Sequence, residues 1–226
     1  MILSVLIGAN SDMAQEYQAH CESVISIKRG TDFKVVGNTV FMDITNEKCW
    51  LLLKKEIKLI VSKEDKVEFT FFQGVFTAEL SWNRTSKRLI EDINTHVIPM
   101  THFIKVFYRE FYKIKTSCVL ISSIMATESA SGMLSYGASK LFAEYITLGV
   151  LKELKKSKAC FNILRPGIVN TKLIGSENDK INKEYSESTY SGNYTSIEDI
   201  TKAILFLHST SISGINLNLS DGLRFN

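Results

Sequence analysis

The chain has 226 residues, 45% hydrophobic and 23% charged, and a formal net charge of +3. That length suits one α/β domain, with a core large enough to fold without disulfide or metal staples. The charge is small and the lysines are scattered, with only short pairs such as Lys54–Lys55 and Lys155–Lys156, which argues against a nucleic-acid partner; no apolar run is long enough to span a bilayer.

Short apolar runs alternate with amphipathic stretches along the chain. Leu3–Ile7 is read as a first buried strand ending at Gly8, because it lacks the basic flank and small-residue cleavage pattern of a leader. The turn Gly8–Ala14 leads into a short helix over residues 13–20, with Asp12 expected as its N-cap. Val24–Ile27 and Val40–Met42 are the next two strands. The dozen residues between them contain Gly30, Thr31, Asp32, Gly37 and Asn38, which favour turns over a full helix. Asn46–Ser62 reads as a helix, Phe69–Phe72 as a strand and Ser86–Tyr112 as one long helix. Cys118–Ile121 is a strand, Tyr136–Lys156 a helix and Cys160–Leu164 a strand. Ser196–His208 opens with a capping serine and acids at Glu198 and Asp199, as a helix should, and Ile215–Leu219 is the last strand. Runs bounded by turns in this order predict a Rossmann-like, doubly wound α/β fold. Its sheet has seven mostly parallel strands with helices on both faces, in a single domain spanning 1–226.

Cys21, Cys49, Cys118 and Cys160 lack metal-ligand spacing and are expected as free thiols, with Cys118 and Cys160 as small core residues. His20, His96, His102 and His208 show no such spacing either, so no metal is expected and no histidine is assigned to chemistry. The composition predicts a cytoplasmic protein with no membrane partner, and Lys-, Ile- and Asn-rich usage with 2 prolines suggests a bacterial source.

Three segments carry chemistry. A strand running into the small-residue turn Gly8-Ala9-Asn10-Ser11-Asp12-Met13-Ala14 and then a helix offers backbone N–H groups to a pyrophosphate. After the second strand stand Lys28 and Arg29, with no acid before Asp32. Cations there favour the extra phosphate of NADP over the free ribose of NAD. Tyr136 and Lys140 lie four apart and share a helix face, following Ser122-Ser123 at the end of a strand. A phenol titrates near ~10 and is a poor base at neutral pH until a neighbouring ammonium stabilises its phenolate. Tyr136 then exchanges a proton with a carbonyl or alcohol oxygen that Ser123 orients.

Ser123, thirteen residues before the Y-x-x-x-K of Tyr136 and Lys140, resembles the pattern of the short-chain dehydrogenase/reductase superfamily. The resemblance extends along most of the chain. Gly8–Ala14 is similar to that superfamily's glycine turn, with Asp12 and Ala14 in place of two glycines. Asp43, followed by Ile44, resembles the acid that binds the adenine amino group, and Gln73-Gly74 closes the segment corresponding to N-N-A-G. Asn94 matches the helix asparagine of the catalytic tetrad. Pro166-Gly167-Ile168 and Thr171 resemble the segment that holds the nicotinamide carboxamide, and Ser220-Asp221-Gly222 the closing D-G-G. The resemblance implies that Tyr136 is the acid/base and that Lys140 holds the nicotinamide ribose and lowers the tyrosine pKa. It implies that Ser123 polarises the substrate oxygen and that Asn94 supports a water leading from Lys140 to solvent. Pro99 cannot donate to the carbonyl of Thr95, so the helix is expected to be disturbed just after Asn94. Residues 172–195 correspond to a substrate lid. Its Tyr185, Tyr190 and Tyr194 and polar composition suggest a small polar substrate such as a sugar or nucleotide-sugar. The long helices resemble those that build homodimers or homotetramers. The expectation is an NADP- or NAD-dependent oxidoreductase; the alternative is an inactive dinucleotide sensor or scaffold on the same fold.

Overall fold

A computed structural model describes residues 1–76, 78–171 and 187–223. It builds an eight-stranded sheet in the order β3-β4-β2-β1-β5-β6-β7-β8. The strands are β1 (Ile2–Ile7), β2 (Val24–Arg29), β3 (Lys34–Val36), β4 (Thr39–Met42), β5 (Lys66–Phe71), β6 (Lys115–Ile121), β7 (Ala159–Pro166) and β8 (Asn216–Leu219). Every pairing is parallel except β3 with β4. All seven expected strands are present. The eighth, β3, is a three-residue edge strand in the segment read as turns; Gly37 at φ +56° and Asn38 form the two-residue hairpin loop that returns it along β4. That segment contains no helix, as expected.

The chain leaves β1 toward β2 on one side and later crosses back to β5 on the other. The strand order therefore reverses beside β1, and the crevice beyond the carboxyl ends of β1 and β5 is the topological switch point where open α/β sheets bind ligands. Gly8, Gln73, Ser122 and Gly167 all follow directly on, or close to, the carboxyl ends of their strands.

Among the described residues, six α-helices cover the sheet: α1 (Asp12–Gln18), α2 (Glu47–Ile60), α3 (Ser86–His96), α4 (Ile98–Phe107), α5 (Leu134–Gly149) and α6 (Ile197–Ser209). Their N-termini follow local chemistry. Asn46, Thr85 and Ser196 cap α2, α3 and α6 by accepting from the backbone N–H of Lys48, Arg88 and Asp199. Two corrections concern helices. Ser11, not Asp12, caps α1: its hydroxyl accepts from Ala14 N at 3.1 Å, and Asp12 is the first helical residue. The helix expected over Ser86–Tyr112 is also two helices and a 3₁₀ turn (Glu110–Tyr112), broken at Val97. Pro99, in the first turn of α4, lacks the N–H that would bond Thr95, so the disturbance falls where its chemistry requires.

Successive residues of β1 face opposite sides of the sheet. Leu3, Val5 and Ile7 pack into one core with Trp50, Phe103, Phe107 and Phe111, while Leu6 enters a second with Ala14, Tyr17, Ile200 and Ile204. Phe103 is the hub of the first, its ring centroid 4.6 Å from Phe69, 5.1 Å from Phe71 and 5.5 Å from Phe111. Cys118 is buried, but Cys160 is only partly so, with its thiol donating to the carbonyl of Ser211; all four cysteines are free. No helix among the described residues is long and apolar enough to cross a membrane.

Candidate active site

The site is assembled by seating the start of α5 on the turn that follows β6. Ser123 ends the strand-to-turn passage and caps a 3₁₀ turn over Ile124–Ala126, accepting from Met125 N at 3.2 Å. Gly137 faces that turn. A Cβ on Gly137 would lie 2.3 Å from the carbonyl oxygen of Met125, so only glycine lets the backbones approach this closely. The contact brings Tyr136 beside Ser123, whose hydroxyl favours its phenolate. One turn on, the Lys140 ammonium donates to the carbonyl of Ile121 at 3.0 Å and sits 5.8 Å from the centre of the Tyr136 ring. The phenol, the ammonium and the hydroxyl, separate in sequence, therefore converge. All three are buried, with Tyr136 9% and Lys140 4% exposed.

Burial acts oppositely on the two ionisable groups. It raises the Tyr136 phenol to about 12, against the Ser123 hydrogen bond, which favours the phenolate; the Asp92 carboxylate adds to the rise. Burial lowers Lys140 to about 8, against the attraction of Glu144. Glu144 is itself held in a two-pronged pair by Arg165 of β7, with Nε to Oε1 at 2.8 Å. This fork joins α5 to the strand that runs into Pro166-Gly167.

Sequence reasoning missed several neighbours. Asp92 is buried on α3, where it pairs with Arg84 at 3.2 Å and accepts from the Ser135 hydroxyl at 2.6 Å. The rings of Phe76 and His96 stand edge-on to Tyr136 at 5.6 Å and 5.5 Å. A lone glycine one residue after the tyrosine, in a helix where it costs ~1 kcal/mol relative to alanine, was a readable signal for the close contact at Gly137. Nothing in the spacing pointed to His96 or Asp92.

A cleft of about 1270 Å³ opens at the switch point. Its lining includes Gly8, Asn10, Ser11, Asp12 and Met13 of the first turn, Lys28 and Arg29 after β2, and Asp43 and Ile44 after β4. Gln73, Gly74, Asn94 and Thr171 complete the set of expected residues along it. Ser123, Tyr136 and Lys140 are buried and do not line this cleft; nor do Pro166, Gly167 and Ile168, which lie at the end of β7. Gly167 packs against Ser220, and Ile168 accepts from Thr195 N at 2.8 Å. Asp43 holds a local turn, one oxygen accepting from Thr45 N and Oγ1. Asn94 is exposed. Of the expected lid, 172–186 and with it Tyr185 lie outside the described residues; in the remainder Tyr190 is almost fully exposed and Ser191 bonds Asp221.

The cleft has features that suit a dinucleotide. Gly8 has φ +84°, and a Cβ there would lie 2.6 Å from Gln73 N, so the turn needs glycine to leave its backbone open. Gln73 carries a buried side-chain oxygen with no hydrogen-bond partner among the described residues, and Ser122 a buried hydroxyl in the same state. Polar atoms left so are costly unless a ligand or water bonds them. Within the turn, the N–H groups of Gly8 and Ala9 bond the Ile27 carbonyl and that of Ser11 bonds the Gly8 carbonyl. No cluster of potential metal ligands occurs among the described residues.

Comparison with known proteins agrees with this geometry. The model of the family described as Enoyl-(Acyl carrier protein) reductase matches residues 80–220. Among curated relatives, the 3-oxoacyl-acyl-carrier-protein reductase FabG of Rickettsia prowazekii is 22% identical over 97% of this chain and 95% of its own. FabG of Chlamydia trachomatis is 27% identical over 58% of this chain, and the match spans about half, 54%, of that relative's length. Among solved structures, ElxO with NADP bound superposes with a TM-score of 0.84 at 19% identity, covering 98% of each chain. The 3-oxoacyl-acyl-carrier-protein reductase of Brucella melitensis superposes with a TM-score of 0.82 at 14% identity, covering 99% of this chain and 91% of its own. With the family model matching well over half of its length and the Ser–Tyr–Lys set drawn together, the chain belongs to the short-chain dehydrogenase/reductase superfamily.

Proposed function

We propose that the protein reduces the carbonyl of a 3-oxoacyl thioester with NADPH. The observation that carries the reading is the convergence of Ser123, Tyr136 and Lys140, with Lys140 buried at 3.0 Å from the Ile121 carbonyl. A bound nicotinamide would supply the hydride. The first turn, Gly8 to Met13, would hold the pyrophosphate; Asp43 and Ile44 would hold the adenine; Gln73 and Gly74 would hold a ribose; and Pro166, Gly167, Ile168 and Thr171 would hold the carboxamide end. Ser123 donates to the carbonyl oxygen and polarises it, and Tyr136 delivers its proton to the same oxygen. Lys140 stabilises the phenolate left behind, offsetting the burial that holds the phenol near 12.

Support for the thioester comes from the relatives named as 3-oxoacyl-acyl-carrier-protein reductases. The polar residues of the described lid segment, Ser188, Ser191 and Asn193, favour a second class, a small polar ketone such as a sugar. A panel of 3-oxoacyl thioesters and keto-sugars, followed by NADPH absorbance, separates the two. Tyr136→Phe is expected to lower kcat by about a hundredfold or more while leaving NADPH binding nearly intact; retained turnover would refute the acid/base role. A protein that binds NADPH yet reduces nothing in the panel is a sensor or scaffold.

NADPH is preferred because Lys28 and Arg29 line the cleft after β2, and Asp32 accepts from the Thr31 hydroxyl. Neighbours of the same fold are described as NADP- or NADPH-bound. Arg29→Ala is expected to weaken NADPH by about tenfold and NADH hardly at all in fluorescence titration; equal losses would remove the preference.

The depressed Lys140 sets a pH limit. Its ammonium is present below about 8 and lost above. Reduction is therefore expected to fall as pH rises through that value, and a rate flat between about pH 7 and 10 would contradict the role.

Self-association belongs to the same reading. Leu134, Leu141, Phe142 and Tyr145 form one exposed apolar face on α5, with Tyr145 78% exposed. Light scattering is expected to show a homodimer or homotetramer that Phe142→Glu dissociates. A wild-type monomer at micromolar concentration would end that proposal.

A further inference from the structure

The segment between β5 and α3 passes over the corner that holds Tyr136. Phe76 stands edge-on to the tyrosine ring, 5.6 Å between centres at 85°. Three residues on, the Glu79 amide donates to the Gly132 carbonyl at 3.0 Å, in the passage that leads into α5. Of the groups set around the ring, His96 and Lys140 are buried, while Phe76 is partly exposed. Phe76 therefore stands on the open side of Tyr136, two residues beyond Gly74 on the cleft wall.

Apolar packing does little to hold the rest of the segment. Leu80 and Trp82 are exposed, and the backbone bonds there are local turns, Asn83 N to Leu80 O at 2.9 Å and Arg84 N to Ser81 O at 3.3 Å. A buried charge pair fixes it instead. Arg84 donates to Oδ2 of Asp92 on α3 at 3.2 Å, and the two side chains are 9% and 6% exposed. The same oxygen accepts from the Ser135 hydroxyl at 2.6 Å. Ser135 is the second residue of α5 and directly precedes Tyr136, in a helix that no side chain caps at Met133. One carboxylate oxygen thus ties the segment, α3 and the start of α5 together. Both hydrogen bonds are charge-assisted, and losing either donor leaves a buried carboxylate under-compensated.

We propose that Asp92 is a positioning residue for substrate selection: it staples the segment to α5 through Arg84 and Ser135, and so holds the Phe76 ring as an apolar wall beside Tyr136. The proposal rests on the reductase reading above and specifies which carbonyls that site admits. A carbonyl bonded to the Tyr136 hydroxyl sets one flanking carbon against the Phe76 edge. An unbranched methylene packs there. A branch at that carbon has to push the ring outward, against the Glu79 bond and the staple, so the site selects linear chains.

The staple is tested first without any substrate, by amide hydrogen exchange over residues 78–84 in the protein without cofactor. Ser135→Ala leaves the Arg84–Asp92 pair in place and removes one bond from the shared oxygen. It is expected to speed exchange at Glu79 by about tenfold while β6 stays as protected as in wild type, and Ser135→Thr, which keeps the hydroxyl, is expected to restore slow exchange. Exchange at Glu79 no faster in Ser135→Ala overturns the staple whatever the enzyme's activity. Turnover is then measured with a linear 3-oxoacyl thioester and its 2-methyl analogue. Ser135→Ala is expected to raise KM for the linear thioester about fivefold with kcat and NADPH affinity within about twofold, and Ser135→Thr to bring KM back. Phe76→Ala is expected to narrow the preference for linear over branched by about tenfold. An unchanged preference in Phe76→Ala, or an unchanged KM in Ser135→Ala, overturns the role in selection. A wild-type enzyme that reduces neither thioester overturns instead the reductase reading beneath it, and the exchange measurement still judges the staple.

Discussion

The contact between Gly137 and the Met125 carbonyl is the constraint on which the active site depends. Gly137 is one residue from Tyr136 and three from Lys140. Any side chain at that position would meet a backbone oxygen at 2.3 Å, and a backbone cannot swing aside as a flexible side chain can. Seating α5 this deeply places Tyr136 on Ser123 and lets the ammonium one turn later reach the end of β6. The Glu144–Arg165 fork then fixes the same helix to β7. The carboxyl ends of two strands, β6 and β7, are thus referred to one helix.

The electrostatics follow from the same packing. Excluding water from this corner penalises charge, so the phenol resists ionising and the lysine resists protonation. Each group lessens the other's penalty when tyrosine carries the negative charge and lysine the positive one. Asp92 would work against that, being an acid close enough to raise the phenol further. Arg84 at 3.2 Å and the Ser135 hydroxyl at 2.6 Å both reach the same oxygen of Asp92 and blunt its field.

The fold was legible because strand boundaries follow local chemistry. Apolar runs ending in Gly8, Asp43 and Gln73-Gly74 stop where the sheet stops, and Pro99 marks the break between α3 and α4. That Ser123, Tyr136 and Lys140 come together was legible from their spacing. What escaped was whatever depends on a partner distant in sequence. Asp12 and Ser11 are both good capping residues, and only the backbone's path selects Ser11. The edge strand β3 was hidden because Lys34-Val35-Val36 is too short to show a period, and its pairing with β4 decides its state. His96 carries no pattern of its own; its significance lies in burial beside α5, a property of packing that a single sequence does not express. Asn94 fits the superfamily spacing and lies exposed along the cleft.

The two tryptophans have a practical consequence. Trp50 is fully buried, stacks on Phe71, and donates from its indole nitrogen to the carbonyl of Ile44, a residue on the wall of the cleft. Trp82 is 80% exposed, in the stretch between β5 and α3. The two tryptophans are therefore fluorophores of opposite character, one shielded in the core behind Ile44 on the cleft wall and one open to aqueous quenchers. Iodide silences the outer emitter, and the light that remains reports from a few ångströms behind the wall where a dinucleotide would lie.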